Sequence, residues 1–337
     1  SNISPKSGIA TGWIWDIAMK VLDRTQDKLP SFEYGEIWED PIHGHRVGCL
    51  DATSREDAKK LMGEKRAILA IQDPPYNIQI NGIFDNMPID KYINWCEKWV
   101  DSTLEVLNSD ASLYVWLGAD IKGNFQPLAD FILMMRHKPV GSRNLITVRN
   151  QRGYGTQKNW MAIRQELLYY VKGNPPFNIN AEYTNIPKKT RGYYKVVGGK
   201  LTENFERSKS NNIRAGNVWT DIQQVFYLRE ESVEGCYAQK PLSAIERVIL
   251  ASSNEGDIII DFFSHSGATL LQAEMSKRVC YTMDISPEYC KVTVARLVHF
   301  RNTGKTGWQR LKILQDGKIV VDDATLVGTY PLFQFEG

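Results

Sequence analysis

Asp257-Ile258-Ile259-Ile260-Asp261-Phe262-Phe263-Ser264-His265-Ser266-Gly267-Ala268-Thr269 is the stretch on which the fold turns. Gly256-Asp257 leads the chain into Ile258 to Phe263, an apolar run short enough to be a strand buried on both faces of a parallel sheet. Ser264 to Gly267 then form a loop of mostly small residues that opens into a helix expected over Thr269 to Lys277. Small residues at a helix N-terminus let a ligand approach the backbone and meet unpaired N–H groups, an arrangement that suits a carboxylate. A strand from Val279 to Met283 and a helix from Pro287 to about Phe300 complete a strand-helix-strand-helix unit, the usual housing of a nucleoside cofactor. Asp284 ends the second strand at the distance where an acidic residue meets ribose hydroxyls in such folds. A tight turn followed by a surface Asp is the plainer alternative for the same residues.

Working outward, short apolar runs alternate with amphipathic stretches, the pattern of an α/β sheet covered by helices. Ala67 to Ile71, Ser112 to Leu117, Asn144 to Val148 and Glu166 to Val171 read as strands, with helices at Asp90 to Leu107 and Pro127 to Arg136. Pro241 suits a first helical turn, where its missing N–H would be unpaired anyway, and Leu242, Ile245 and Ile249 mark a buried stripe behind it. From Asn174 to Arg214 the alternation breaks into a segment rich in Asn, Lys, Arg and Tyr, which reads as a mobile inserted module.

The first element of chemistry is Asp73-Pro74-Pro75-Tyr76-Asn77, at the carboxyl end of a buried strand, where open α/β sheets bind ligands. Two prolines stiffen the turn, so the Asp73 carboxylate and the Pro74 carbonyl become fixed acceptors matching the two N–H bonds of an exocyclic amine. Tyr76 supplies a face on which an extruded base can stack. A proline-rich turn capped by an Asp is the bland alternative.

The second is charge. Net charge is only +2, but between residues 186 and 214 eight Lys and Arg face two Glu, an excess of six. Lys188, Lys189, Arg191, Arg207, Lys209 and Arg214 in this segment, with Asn77, are candidate phosphate and base contacts, against the alternative of a solvated charged loop.

The 337 residues, 42% hydrophobic and 24% charged, suit a globular protein with one large domain and an insert. No apolar run reaches the roughly 20 residues of a membrane span, and the patch from Trp13 to Val21 is broken by Asp16 and Lys20, so neither membrane association nor a signal peptide is expected and the cytoplasm is the expected location. Five cysteines without a close pair argue for free thiols and against a zinc site. His43 and His45 lack an evident third ligand, so no metal is expected. The Trp95 and Trp99 pair reads as core.

Together these motifs resemble the permuted amino-methyltransferases of the restriction-modification type, in which the Asp-Pro-Pro-Tyr motif precedes the cofactor motif. The similarity runs from about Gly48 to Arg296 and is carried by Gln239-Lys240-Pro241, Arg247, Gly256-Asp257, Asp261, Phe263, Gly267, Thr269, Asp284, Pro287-Glu288-Tyr289, Ala295-Arg296 and Gly216-Asn217-Val218-Trp219. The resemblance implies a Rossmann-like, mostly parallel seven-stranded sheet with one reversed strand, and an inserted target-recognition region. It divides the chain into an arm (1–46), a catalytic half (47–173), the insert (174–235), a cofactor half (236–303) and a C-terminal extension (304–337).

The implied activity is S-adenosyl-L-methionine-dependent methylation of the 6-amino group of adenine in duplex DNA, by base flipping and direct transfer. Asp73, Pro74, Pro75 and Tyr76 are then catalytic, and Asp51, Lys240, Pro241, Asp261, Phe263, Ser264, Ser266, Gly267, Thr269 and Asp284 bind the cofactor. Cytosine N4 methylation, RNA as substrate, and a DNA-binding protein that keeps the fold without the activity remain alternatives. A homodimer and a separately acting restriction endonuclease are the partners the resemblance admits besides DNA. The sequence departs from the family at His265, where Gly is usual; a Cβ there is expected to crowd the ligand or force an unfavourable backbone. Phe262 replaces the commoner Pro.

Overall fold

The computed structural model describes residues 30–76, 87–118, 126–154, 158, 160–189, 192–205, 210–225, 228, 230–233, 236, 238–308, 311–315 and 318–322. Asn77, Arg191, Arg207 and Lys209, four of the expected DNA contacts, lie outside the described residues.

In chain order the first half contains β1 (Ile37–Glu39), β2 (Arg46–Cys49), β3 (Ala67–Gln72), β4 (Leu107–Leu117), β5 (Gly141–Tyr154) and β6 (Ala162–Lys172). Residues 174–235 add β7 (Tyr183–Pro187), β8 (Gly192–Val197), β9 (Lys200–Phe205), β10 (Asn212–Arg214) and β11 (Val218–Trp219). The last part contributes β12 (Ile258–Asp261), β13 (Val279–Asp284), β14 (Leu311–Gln315) and β15 (Lys318–Asp322).

Nine strands form the main sheet in the order β1-β2-β13-β12-β3-β4-β6-β5-β11. From β2 to β5 this is the expected seven-stranded sheet: β6 alone is reversed, antiparallel to both β4 and β5. Two short edge strands extend it, β1 antiparallel to β2 and β11 parallel to β5. The fold is therefore α/β with a mostly parallel central sheet.

The apolar runs form these strands because both sheet faces are covered. Successive residues Ile259 and Ile260 are fully buried in different hydrophobic clusters, one on each face. Burying such a side chain stabilises by about 1.5–3 kcal/mol, so a four-residue strand suffices in the middle of the sheet. Helix Ile89–Val106 covers one face with Cys96, Trp99, Val100 and Leu104, and helix Leu242–Ser252 the other with Ile245, Val248 and Ile249.

Some expectations shift. Pro241 (φ −66°, ψ 138°) precedes its helix instead of opening the first turn, its carbonyl accepting the Ala244 and Ile245 N–H groups at 3.1 and 3.4 Å. Helix Arg55–Met62 leaves little apolar pattern in the sequence, because only Ala58, Leu61 and Met62 are buried in an otherwise polar stretch; the Ser54 side chain caps it by accepting the Asp57 N–H at 3.1 Å. The segment read as an insert contains two antiparallel pairs, β7 with β10 and β8 with β9, before β11 joins the main sheet. All five cysteines are free and buried, and among the described residues no helix is long and apolar enough to cross a membrane.

Candidate active site

Two strands far apart in the chain end side by side. β3 and β12 are parallel neighbours, with Leu69 opposite Ile259 and Ala70 opposite Ile260. On one side of this pair the chain proceeds from β12 to β13, on the other from β3 to β4, and such a reversal of strand order opens a crevice beyond the carboxyl ends. Asp73 leaves β3 there and Asp261 closes β12. Gln72, fully buried, joins the two: its Oε1 accepts the Phe262 N–H at 2.9 Å and its Nε2 donates to Thr103 Oγ1 at 3.0 Å. The signal for Gln72 was present in the sequence as the one polar residue closing the run Ala67 to Gln72.

Asp73 keeps 26% of its side chain exposed and is met by two donors. Lys240 Nζ lies 2.8 Å from each carboxylate oxygen, and the Tyr76 hydroxyl donates to Oδ1 at 3.0 Å. The buried Lys240 ammonium also sits 5.1 Å from the Tyr76 ring centroid and 5.3 Å from that of Trp116, a cation–π arrangement that compensates part of its lost hydration. The turn is braced by the Tyr92 hydroxyl, which donates to the Pro75 carbonyl at 2.6 Å, while among the described residues nothing donates to the carbonyl of buried Pro74. Gly118 leaves room for Tyr76, since a Cβ there would stand 3.1 Å from its ring.

The loop after β12 is held from behind. Gly267 takes φ +73°, and a Cβ on it would meet Thr293 Cα at 2.9 Å, so no other residue fits without movement. The Ser264 hydroxyl pairs with Thr293 Oγ1 at 2.6 Å, and the Ser266 carbonyl and hydroxyl accept from buried Arg296 at 3.0 and 3.3 Å. Those two hydroxyls, expected to face a ligand, are thus engaged by helix Pro287–Thr303. Arg296 also donates to the carbonyls of Glu231 and Thr306 at 2.9 and 2.7 Å; burial lowers its pKa to about 10 and raises that of Glu231 to about 7.

His265 adopts φ +45°, the unfavourable region anticipated for a side chain at that place. Its N–H donates to Asp284 Oδ2 at 3.0 Å and its ring meets that of Tyr289 at 4.8 Å; burial pulls the imidazole down to about 4. Phe263 lies against Trp99 and Trp95, ring centroids 5.4 and 5.8 Å away, so the Trp pair belongs to the core and also props this loop.

Three carboxyl groups line this end of the sheet. Burial pushes Asp261 up to about 7, against hydrogen bonds from Thr269 and the Phe263 N–H that favour its ionised form. Burial likewise raises Asp284 to about 6, although the N–H groups of Ser286 and His265 each donate to one of its oxygens. Asp51 follows β2, whose Cys49 lies opposite Asp284, and its Oδ1 accepts from the N–H and hydroxyl of Thr53, both at 2.8 Å.

Elsewhere, Lys188 donates to the Ser210 carbonyl at 2.9 Å, Arg214 pairs with Glu182, and Lys189 is exposed. His43 and His45 do have a neighbouring third ligand, contrary to the sequence reading: Asp40 joins them with ligand atoms within 4.8 Å of one another. These groups are already bound, however. Asp40 forms a two-pronged pair with Arg301 at 2.8 Å, and both histidines contact Glu274 at 2.8 Å. His45 Nδ1 accepts the Cys280 N–H at 2.9 Å, which leaves its proton on Nε2, facing Glu274.

The family described as DNA methylase, of the N6 and N4 amino type, matches residues 68–295, from within β3 to within helix Pro287–Thr303. The chain belongs to this family. The methylase is 28% identical over 259 residues to Type II methyltransferase M.HpaI of Haemophilus parainfluenzae, covering 75% of this chain and 74% of that one. It is also 28% identical over 265 residues to DNA adenine methyltransferase YhdJ of Escherichia coli (strain K12), covering 75% and 87%. Among solved structures, the cytosine-N4-specific PvuII DNA methyltransferase superposes on the methylase with a TM-score of 0.54 at 15% identity, covering 80% of this chain and 88% of that one, a likeness of fold.

Proposed function

We propose that this methylase transfers a methyl group from S-adenosyl-L-methionine to the 6-amino group of an adenine extruded from duplex DNA. The observation that carries the reading is the adjacency of Asp73 and the loop 262–267 across one pair of strands, β3 and β12. Bound cofactor supplies the electrophilic methyl group; the chain's own residues position and polarise. The Asp73 carboxylate and the Pro74 carbonyl would accept hydrogen bonds from the two amine N–H groups, raising electron density on a nitrogen whose lone pair is delocalised into the ring; the N–C bond forms as the S–C bond breaks, and one amine proton leaves, with the Asp73 carboxylate as its nearest acceptor. Lys240 and Tyr76 now occupy the Asp73 oxygens, so the amine competes with or displaces one of them.

The residues fit the cofactor. Asp284, already met by backbone N–H groups of Ser286, His265 and Ile285, would offer its remaining acceptor capacity to a ribose hydroxyl, and Asp51 stands at the same sheet end for the adenine. Gly267 precedes helix Ala268–Met275, whose N-terminal N–H groups would favour a carboxylate, and Lys240, Pro241, Asp261, Phe263, Ser264, Ser266 and Thr269 would hold the rest of the cofactor. The insert 174–235 would contact DNA between the catalytic and cofactor halves, and a restriction endonuclease acting on the same site would be a separate protein. The likeness to YhdJ, by its name an adenine enzyme, favours adenine over cytosine.

The test is mass analysis of nucleosides from DNA incubated with the protein and cofactor. N6-methyladenine is expected from the wild type and a loss of about 10²- to 10³-fold from Asp73→Asn, the size seen when one transition-state partner is removed. N4-methylcytosine would transfer the assignment to the other base, and absence of methylated nucleosides would end it.

A further inference from the structure

Lys240 reaches Asp73 from a turn. Ala238, just before it, takes φ +58°, a region costly for a residue with a side chain, and the helix Leu242–Ser252 begins only beyond Pro241. An ammonium group that is to stay on one carboxylate needs this segment held still.

The hold comes from Glu231. Its backbone carbonyl accepts from Gln239 Nε2 at 2.9 Å, while Gln239 Oε1 accepts the Val233 N–H at 2.9 Å, so residue 239 is tied to the chain around 231 in both directions. Its carboxyl Oε1 accepts the Leu242 N–H at 3.2 Å. Pro241 has no side-chain oxygen with which to cap the helix it precedes, and the Glu231 carboxyl supplies both the missing acceptor and an acidic group at the positive end of that helix. Residues 239 and 242 flank Lys240-Pro241, so one residue grips the lysine from both sides.

Glu231 is in turn fixed from behind. Arg296 Nη2 donates to its carbonyl at 2.9 Å, and the Trp308 N–H donates to the Ser232 carbonyl at 2.8 Å. Gly307 packs so close that a Cβ on it would stand 2.5 Å from the Glu231 carbonyl carbon. Because Arg296 also holds the Ser266 carbonyl, an unbroken run of contacts leads from the loop after β12 through Arg296, Glu231 and Gln239 to the neighbour of Lys240, and so to Asp73. Both charged members of this run are buried. Buried charges add little stability over apolar groups of like volume, and their best attested use is to fix one arrangement of the chain among several.

We propose that Glu231 is a positioning residue for methyl transfer, setting Lys240 on the Asp73 carboxylate by holding the residues on either side of it. The proposal rests on the DNA-methylating reading and adds to it a residue outside the catalytic and cofactor motifs. A helix cap and nothing more would stabilise the fold without acting through Lys240, and a cycle of single and double substitutions separates the two roles.

Glu231→Leu, Lys240→Met and the double variant are compared in the full chain by methyl transfer to duplex DNA at saturating S-adenosyl-L-methionine, by S-adenosylhomocysteine calorimetry and by urea unfolding. Slow rates are resolved by mass analysis of nucleosides accumulated over hours. Glu231→Leu alone should lower turnover by about ten- to a hundredfold, the scale of a misplaced catalytic group. In the Lys240→Met background the same substitution should change turnover and S-adenosylhomocysteine affinity by less than about twofold, because the group through which it acts is gone; independent losses would multiply. Glu231→Gln keeps an oxygen for the Leu242 N–H and should recover most of the turnover. If Glu231→Leu shows no cooperative urea transition, Gln239→Leu takes its place in the cycle, since it breaks the tie next to Lys240. Losses that multiply in the double variant, or a Gln variant as impaired as the Leu one, overturn the proposal even where the wild type methylates DNA. A wild type that methylates no DNA strikes the underlying reading, and this inference with it.

Discussion

Replacing Gln72 by Leu removes the side chain that joins the two halves of the site while nearly conserving volume. The Phe262 N–H, in a residue 1% exposed, would lose its only side-chain acceptor, now 2.9 Å away. An orphaned buried donor costs about 1–3 kcal/mol. Thr103 keeps its own bond to the Trp99 carbonyl at 2.8 Å and adds little to the loss. The apolar gain from Leu offsets a fraction, so a net destabilisation of about 1–3 kcal/mol is expected. Urea unfolding followed by tryptophan fluorescence should show a lower midpoint at unchanged slope. S-adenosylhomocysteine binding should weaken as well, because the loop starting at Phe262 would lose its register against β3. A Gln72→Leu protein as stable as the wild type, binding equally well, would refute the argument that this amide couples the strands.

Other expectations concern charge and backbone. Against burial, which alone would raise them, Asp40 is held down at about 2 by Arg301 and backbone donors, and Glu274 is held well below the usual carboxylate range by His45, Arg301 and His43. Depressed carboxyls stabilise the fold above their unfolded values near 4 and lose that contribution as pH falls through the folded ones. The urea midpoint of the wild type should therefore drop steeply between about pH 4 and pH 2, and Arg301→Gln should be less stable at neutral pH and show a shallower drop over that window. His265→Gly relieves φ +45° at the cost of the Tyr289 contact; thermal unfolding should show stability unchanged or raised by up to about 1 kcal/mol, and a clear loss would mean that the ring contact dominates. If ionised Asp284 accepts the ribose hydroxyls, cofactor affinity by calorimetry should fall as pH drops below about 6, and Asp284→Asn should abolish that dependence.

The central strands were legible because parallel strands buried on both faces leave continuous apolar runs such as Ile258 to Ile260, and Asp73 was legible because it ends one of them. The edge was not: β1 is three residues long, and helix Arg55–Met62 shows only three buried positions. Gln72 was passed over because a polar residue at a strand end reads as a turn, and its partner lies 190 residues away. Long-range pairing also hid the clasp of Asp40 by Arg301, 261 residues downstream, and the fact that Lys240 stands on Asp73 across 167 residues. For Arg296, motif resemblance marked the residue, but its task of holding the Ser266 carbonyl depends on how one helix packs behind a loop.

Because β3 lies between β4 and β12, its two neighbours arrive at very different times during synthesis. β4 follows within one helix, whereas β12 emerges only after the whole insert. Until then β3 presents a bare row of backbone donors and acceptors, the kind of edge that recruits strands from other chains. A nascent or truncated chain ending before Ile258 would carry a complete apolar half with no mate for its middle strand. Such fragments should be prone to sticking together, and any shortening of this protein for study has to retain both ends of that interrupted sheet.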